Sequence, residues 1–156
     1  MQRSFAIRKA QPADMLTIRA IVRRERLDPT QLKVENFIVA EAVQAGRPRI
    51  IGCGQMRRYP GAQELGSLVV EPDWRGRGVG AALVRYLLAG TTSDVYLECR
   101  AQLASYYQQL GFELVGWTDL PAALKLKFGL GRLLSLLPGA SIVAMRKAGA
   151  ARPERR

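Results

Sequence analysis

Leu68-Val-Val-Glu-Pro-Asp-Trp-Arg-Gly-Arg-Gly-Val-Gly-Ala-Ala-Leu83 decides how the rest of this chain is read. Its β-branched start ends at Val70, and Pro72 keeps the strand from continuing. A turn carrying Arg75, Gly76, Arg77, Gly78 and Gly80 follows, and an apolar helix opens near Val79 and runs towards Ala89. The first turn of a helix has backbone N–H groups without partners, and the macrodipole adds roughly half a positive charge there. Glycine lets an anion approach those groups closely and tolerates positive φ. Two arginines in the same turn offer charge-assisted hydrogen bonds. The stretch predicts a strand, a turn and a helix arranged to hold a pyrophosphate.

Of two common phosphate loops, the first fails here and the second fits well in spacing. A P-loop requires Gly-Lys-Ser/Thr, and here Gly80 is followed by Ala81. Gly76, Gly78 and Ala81 do satisfy the dinucleotide spacing G-x-G-x-x-G/A, with Glu98 closing the next strand about 20 residues on. Against a nicotinamide-dependent oxidoreductase, Glu71 to Arg75 separate the strand from the first glycine. Too little chain follows for the remaining strand–helix units, and Arg75 leads a turn where that pattern asks for no cation.

Composition narrows the chemistry further. The chain has 156 residues, 48% hydrophobic and 24% charged, the balance of one globular domain with its own core. It contains no histidine, which excludes Ser–His–Asp and Cys–His nucleophiles and any histidine-bound metal. Cys53 and Cys99 are too few for a zinc site and read as small buried hydrophobes, so no metal is expected. Acid–base work falls to carboxylates, tyrosine or lysine. The net charge of +11 makes a nucleic-acid-binding domain the rival reading. The basic residues are scattered, with no regular aromatic interleaving, so a solvated basic surface is preferred over a nucleic-acid site. No apolar run approaches a membrane span, and the polar start Met1-Gln-Arg-Ser4 does not read as a signal peptide. The expected location is the cytoplasm, or an organelle's interior after removal of a transit peptide.

Along the chain, Phe5–Arg8 reads as a strand and Pro12 as the start of a helix with Met15, Ile18, Ile21 and Val22 on its apolar face. Asp28-Pro29 breaks that helix. Strands are expected at Phe37–Ala42 and Ile50–Arg57, joined by a turn over Gln44–Pro48, then at Glu64–Val70, Asp94–Cys99, Phe112–Trp117 and Ser141–Lys147. Leu103–Leu110 reads as a short helix ended by Gly111. Asp119–Gly139 is longer than an ordinary connection. Its leucines beside Lys125, Lys127 and Arg132 suggest a membrane-surface helix or a packed lid; Gly129 and Gly131 argue against one continuous helix. Residues 1–148 are expected to form the domain and 149–156 a frayed tail.

Arg75, Gly78 and Gly80 also satisfy Arg-x-x-Gly-x-Gly, and this resembles the acyl-CoA-binding motif of the GNAT superfamily of N-acyltransferases. Ile7-Arg-Lys-Ala10 with Pro12-Ala-Asp14 is similar to the family's opening strand and helix. Phe37-Ile-Val-Ala-Glu41 and Ile50-Ile-Gly-Cys-Gly-Gln55 resemble its next two strands. Tyr107-Gln-Gln-Leu-Gly-Phe112 resembles its late Tyr-x-x-Leu-Gly-Phe signature, and Val143-Ala-Met-Arg-Lys147 its closing strand. The pieces cover roughly residues 5–147 in the right order.

The resemblance implies an α/β (α+β) fold: one domain with a mixed, mostly antiparallel sheet, helices on both faces, and a splayed parallel strand pair holding coenzyme A. It implies acetyl-CoA as cosubstrate and a small-molecule or peptide amine as acceptor. Backbone groups of Leu68, Val69 and Val70 would pair with the pantetheine arm, and an N–H near Leu68 would stabilise the oxyanion. The amides of Arg75, Gly76, Arg77, Gly78, Val79 and Gly80 would hold the pyrophosphate. Tyr107 matches the tyrosine that protonates the departing thiolate; its other reading is a helix packing residue. Glu64 matches the glutamate that some members use as general base; its other reading is a solvated carboxylate at a strand start. Alternation would put Glu64 on one strand face with Gly66, Leu68 and Val70. Arg100 stands where the family often has asparagine, which bears on the acceptor. Asp119–Gly139 is expected to shape the acceptor side of the cleft, with a second subunit as one cover for its leucines.

Overall fold

The computed structural model describes residues 4–134, 139 and 141–150. The elements are β1 (Ala6–Lys9), α1 (Met15–Arg24), β2 (Phe37–Gln44), β3 (Arg47–Tyr59), β4 (Ala62–Val70), α2 (Val79–Leu88), β5 (Val95–Arg100), α3 (Ala104–Gln109), β6 (Glu113–Val115), α4 (Ala122–Leu134) and β7 (Ile142–Lys147). The strands are hydrogen-bonded in the order β1-β2-β3-β4-β5-β7-β6. Pairings β1–β2, β2–β3, β5–β7 and β6–β7 are antiparallel, whereas β4–β5 is parallel. This is the mixed, mostly antiparallel sheet expected, and it differs from the parallel sheet a dinucleotide fold requires. Residues 1–57 with 65–89 form one compact unit, and residues 58–64 with 90–156 another.

In the first unit the two helices cover opposite faces of the sheet. Alternation along β2 sends Phe37 and Val39 to one face and Ile38, Ala40 and Ala42 to the other. The first pair packs with Ile18, Ile21 and Val22 of α1. The second set packs with Val79 and Leu83 of α2 and with Trp74. β2 and β3 are longer than their apolar cores suggest, because Ala45 and Gly46, at φ 49° and 74°, make a tight two-residue turn between them. Gly52 on β3 has a definite task. A Cβ there would lie 2.9 Å from the Val69 carbonyl oxygen and 3.2 Å from Leu83, so any side chain would push α2 off the sheet.

The entry to α1 is fixed by charge. Arg8 on β1 grips Asp14 with two nitrogens, at 2.7 and 3.1 Å, and also reaches Glu41 at 2.7 Å. Asp14 accepts a further hydrogen bond from the Gln11 backbone N–H at 2.7 Å. The Arg8 hydrogen bond holds the Asp14 carboxyl below its ordinary range. A depressed folded-state value stabilises the fold above the unfolded carboxylate value of about 3.9, and that contribution is lost as pH falls through the folded value. Asp14→Asn should therefore destabilise the protein by about 1–3 kcal/mol at neutral pH. In urea unfolding, the gap to wild type should narrow progressively below about pH 4.

In the second unit β5 lies between β7 and the start of β4, where Gln63 pairs with Val95 and Glu64 with Tyr96. Leu120, Leu124 and Phe128 pack on Ala62 and Tyr96. The connection after β6 departs from expectation: α4 runs unbroken as a helix through Gly129 and Gly131. Each glycine costs about 1 kcal/mol in a helix, whereas burying Leu124 and Phe128 contributes about 2–3 kcal/mol apiece. A Cβ on Gly129 would sit 3.4 Å from the Trp117 ring, so this glycine also leaves room for the indole. Gly149 donates its N–H to Asp94 at 2.9 Å, and residues 151–156 of the expected tail lie outside the described residues. Among the described residues no helix is long and apolar enough to cross a membrane.

Candidate active site

The strand, turn and helix expected over Leu68–Leu83 form. β4 ends at Val70, Pro72–Trp74 makes a single 3₁₀ turn, and α2 starts at Val79. Gly76 and Gly78 take φ of 69° and 81°, a region costly for most side chains. Beside each, the direction a Cβ would take is open for 4 Å. Gly78 occupies the N-cap of α2, and no side chain caps the helix. An open, uncapped helix start flanked by two left-handed glycines suits the pyrophosphate of coenzyme A.

The side chains of the turn also hold it together from within. Arg75 donates from Nε to the Val70 carbonyl at 2.9 Å and lies 3.8 Å from Glu25. Arg77 donates from Nε to the Asp73 carbonyl at 3.1 Å. Both arginines thus brace the turn while remaining exposed. Val79 is buried, so only its backbone is available to an anion. The Val70 carbonyl retains a second lone pair after binding Arg75.

β4 carries an irregularity directly after Gly66, at a residue that is not itself glycine. Ser67 adopts φ 49°, which breaks the two-residue alternation of the strand. Counting by twos therefore does not carry side-chain direction from Glu64 to Leu68 and Val70, and that sequence expectation is corrected. The kink is held from β3: the Gln55 amide bonds the Ser67 hydroxyl at 2.9 Å whichever way the amide is turned. Arg57, almost fully buried, donates to the same hydroxyl at 3.4 Å and pairs with Asp28 at 3.6 Å. Gln55 and Arg57 are site-supporting residues that the sequence reading passed over as ordinary strand positions.

In the second unit Glu64 is buried, not solvated. It accepts a hydrogen bond from the Tyr59 hydroxyl at 3.0 Å and forms a short ion pair with Lys127 of α4. The Lys127 ammonium also lies 5.8 Å from the Tyr59 ring centre. Burial, reinforced by the Glu64 charge, raises the Tyr59 phenol above its usual value. In sequence Lys127 counts only among the basic residues of the 119–139 segment, because its partner Glu64 is 63 positions away.

Tyr107 projects from α3 into a different set of neighbours. It stacks edge-on with Phe112 at 5.9 Å and with Tyr106 at 5.2 Å, and only 8% of its surface is exposed. Tyr106 is half-buried, so the register that selects Tyr107 as the inward tyrosine holds. Burial first, then the Cys99 and Tyr106 groups, raise the Tyr107 phenol well above its usual value.

Both thiols are free and unreactive in character. Burial pushes Cys53 up to about 12 and Cys99 up to about 11. Only the thiolate is nucleophilic, so iodoacetamide at pH 8 should label neither appreciably in the native protein, and both after denaturation. Rapid native labelling, read by intact mass, would contradict this. Among the described residues no cluster of three or more histidine, cysteine, aspartate or glutamate side chains is placed to hold a metal.

Comparison with known proteins places this architecture. A family model described as an acetyltransferase (GNAT) domain matches residues 33–114. No curated protein matches the sequence. The fold resembles N-acetylglutamate synthase from Neisseria gonorrhoeae, solved with coenzyme A and N-acetyl-glutamate, at TM-score 0.75 and 16% identity over 97% of this chain. This chain spans only 36% of that synthase's length. A Mycobacterium tuberculosis protein solved with CoA is similar at TM-score 0.73 and 20% identity, over 93% of this chain and 99% of the other. The ribosomal-protein-S18-alanine N-acetyltransferase of Escherichia coli is similar at TM-score 0.65 and 18% identity, over 98% and 99% of the two chains. At these identities the structural likeness speaks for the fold.

Proposed function

The chain belongs to the GNAT acetyltransferases, and from that premise we propose that it moves an acetyl group from acetyl-CoA to a primary amine. The observation that carries the proposal is the strand–turn–helix whose two left-handed glycines open onto the uncapped start of α2. Those backbone amides would take the pyrophosphate, and the backbone of Leu68, Val69 and Val70 the pantetheine arm. The amine nitrogen attacks the thioester carbon directly, an N–H near Leu68 stabilises the oxyanion, and the C–S bond breaks. Tyr107 gives its hydroxyl proton to the departing sulfur while the nitrogen loses a proton to water. Direct attack is supported by the absence of histidine and by two thiols held in their protonated form.

The contacts of Glu64 support a role different from general base. A carboxylate already holding Lys127 and the Tyr59 hydroxyl anchors α4 better than it takes a proton from an amine. The proposed acceptor is a small-molecule or peptide amine, and the synthase solved with coenzyme A and N-acetyl-glutamate supports the first of these. The proposed location is the cytoplasm or an organelle's interior. Leu126 and Leu133 lie on one side of α4, 88% and 62% exposed, which supports a homodimer as their cover.

Thermal shift tests the reading. Acetyl-CoA at 100 times its Kd should add about 2.7 kcal/mol of stability, while nicotinamide dinucleotides and oligonucleotides should add none. Stabilisation by a dinucleotide or an oligonucleotide alone would replace this function with one of its rivals.

A further inference from the structure

Three side chains of β3 converge on one residue of β4. Cys53, Gln55 and Arg57 alternate along their strand and so share a face. The Cys53 thiol donates to the Ser67 carbonyl at 3.6 Å. The Gln55 amide meets the Ser67 hydroxyl at 2.9 Å, and the Arg57 guanidinium donates to that hydroxyl at 3.4 Å. One orientation of the Gln55 amide satisfies both its ends. Its oxygen then accepts from two Arg57 nitrogens at 2.9 and 3.3 Å, and its nitrogen donates to the Gln31 carbonyl at 3.2 Å. We propose that Cys53, Gln55 and Arg57 form a positioning clamp that aims the Leu68 N–H at the thioester oxygen. The proposal rests on the acetyl-transfer reading and names what holds its oxyanion donor in place.

The aim follows from the peptide plane. The Ser67 carbonyl and the Leu68 N–H belong to one planar trans unit and point in opposite directions. Fixing the carbonyl on Cys53 therefore directs the N–H away from that thiol. The hydroxyl contacts hold the side chain, so Ser67 is gripped at φ 49° from two sides. A left-handed non-glycine residue persists only where its surroundings over-determine it. Gln31, at φ 54°, is a second such residue on the same network. Arg57 also reaches Asp28 at 3.6 Å, and Asp28 accepts from the Thr30 N–H at 2.8 Å, so the loop after α1 is fastened to the clamp as well. Stability alone does not explain a guanidinium only 2% exposed, because apolar packing of similar volume often does as well as a buried ion pair. Burial pushes the Cys53 thiol up to about 12, so its S–H remains a donor at neutral pH.

The experiment reads the thioester itself. Acetyl-CoA labelled isotopically at the acetyl carbonyl is bound to the full chain, and its carbonyl stretch is followed by difference infrared spectroscopy. A hydrogen bond to the oxygen lowers that frequency, so binding to the wild type should give a downshift from the free value. Arg57→Ala, verified as folded by its melting temperature, should keep its calorimetric affinity for acetyl-CoA and lose most of the downshift. Millimolar guanidinium should restore it, and sodium chloride at equal concentration should not. Ser67→Ala removes a single oxygen and should lose the downshift beyond rescue by guanidinium; it carries the test if Arg57→Ala does not fold. Three results overturn the clamp while leaving the acetyl-transfer reading in place: coenzyme binding by the wild type without a downshift, an undiminished downshift in either folded variant, or a loss in Arg57→Ala that guanidinium fails to restore. Failure of the wild type to bind acetyl-CoA at all removes that reading, and the clamp with it.

Discussion

Gly78→Asp is expected to abolish acetyl-CoA binding in a protein that still folds. The residue sits at φ 81°, and a Cβ there would meet no atom within 4 Å. Aspartate is among the few residues that visit this region at modest cost, so the strain is of order 1 kcal/mol. The added carboxylate would stand at the N-cap of α2, where a negative side chain favours the helix itself. Folding should therefore survive. The same carboxylate would occupy the space proposed for the pyrophosphate and compete for the same N–H groups. Two like charges at about 4 Å repel by about 4 kcal/mol at an effective dielectric constant of 20, roughly a thousandfold in affinity. Gly78→Asn has nearly the same shape without the charge and should lose distinctly less. Calorimetry with acetyl-CoA decides the matter: a folded Gly78→Asp of wild-type affinity would remove the phosphate assignment.

How much of this was readable in the chain depends on how local the cause is. The turn from Arg75 to Gly80 was legible because its conformation is dictated by glycines in sequence. The inward direction of Tyr107 was legible because Leu110, Gly111 and Phe112 fix the register of a short helix. The kink at Ser67 was not, since serine has no preference for positive φ. It is imposed from outside, by Gln55 and Arg57 of the neighbouring strand. The arginines of the turn read as anion ligands because charge and proximity suggested it. Their Nε groups also donate to the carbonyls of Val70 and Asp73, a bracing of the turn that depends on its folded shape.

The largest difference concerns α4, and its cause is tertiary. Gly129 and Gly131 are poor helix residues, and propensity alone breaks the segment there. What overrides them is a sheet face already carrying Tyr96 and Ala62, onto which Leu124 and Phe128 fit one turn apart. The same packing converts Glu64 from an exposed strand-start carboxylate into a buried partner for Lys127. A buried ion pair contributes less to stability than its geometry suggests, because both groups lose their hydration. Its value here is positional: only one register of α4 brings Lys127 onto Glu64.

Tyr107→Phe should leave coenzyme affinity unchanged and lower turnover by about 10²–10⁴, the range for losing a positioned general acid. The substitution keeps the ring, so the edge contacts with Phe112 and Tyr106 remain and the melting temperature should change little. Only the hydroxyl is removed. Burial raises its pKa, which keeps the phenol neutral and proton-bearing throughout the neutral range. A thiolate with an ordinary value near 8.5 is basic enough to be protonated as the C–S bond breaks, and an acid held within hydrogen-bond reach accelerates that step. The raised value has a consequence for the pH profile. The wild-type kcat should show no descending limb from this group below about pH 10, the ordinary phenol value, because the folded-state value lies above it. Tyr106→Phe, altering the half-buried neighbour, should reduce turnover far less. If the two substitutions exchange their effects, the helix presents the other tyrosine to the thioester; if neither slows turnover, the proton comes from water or another residue.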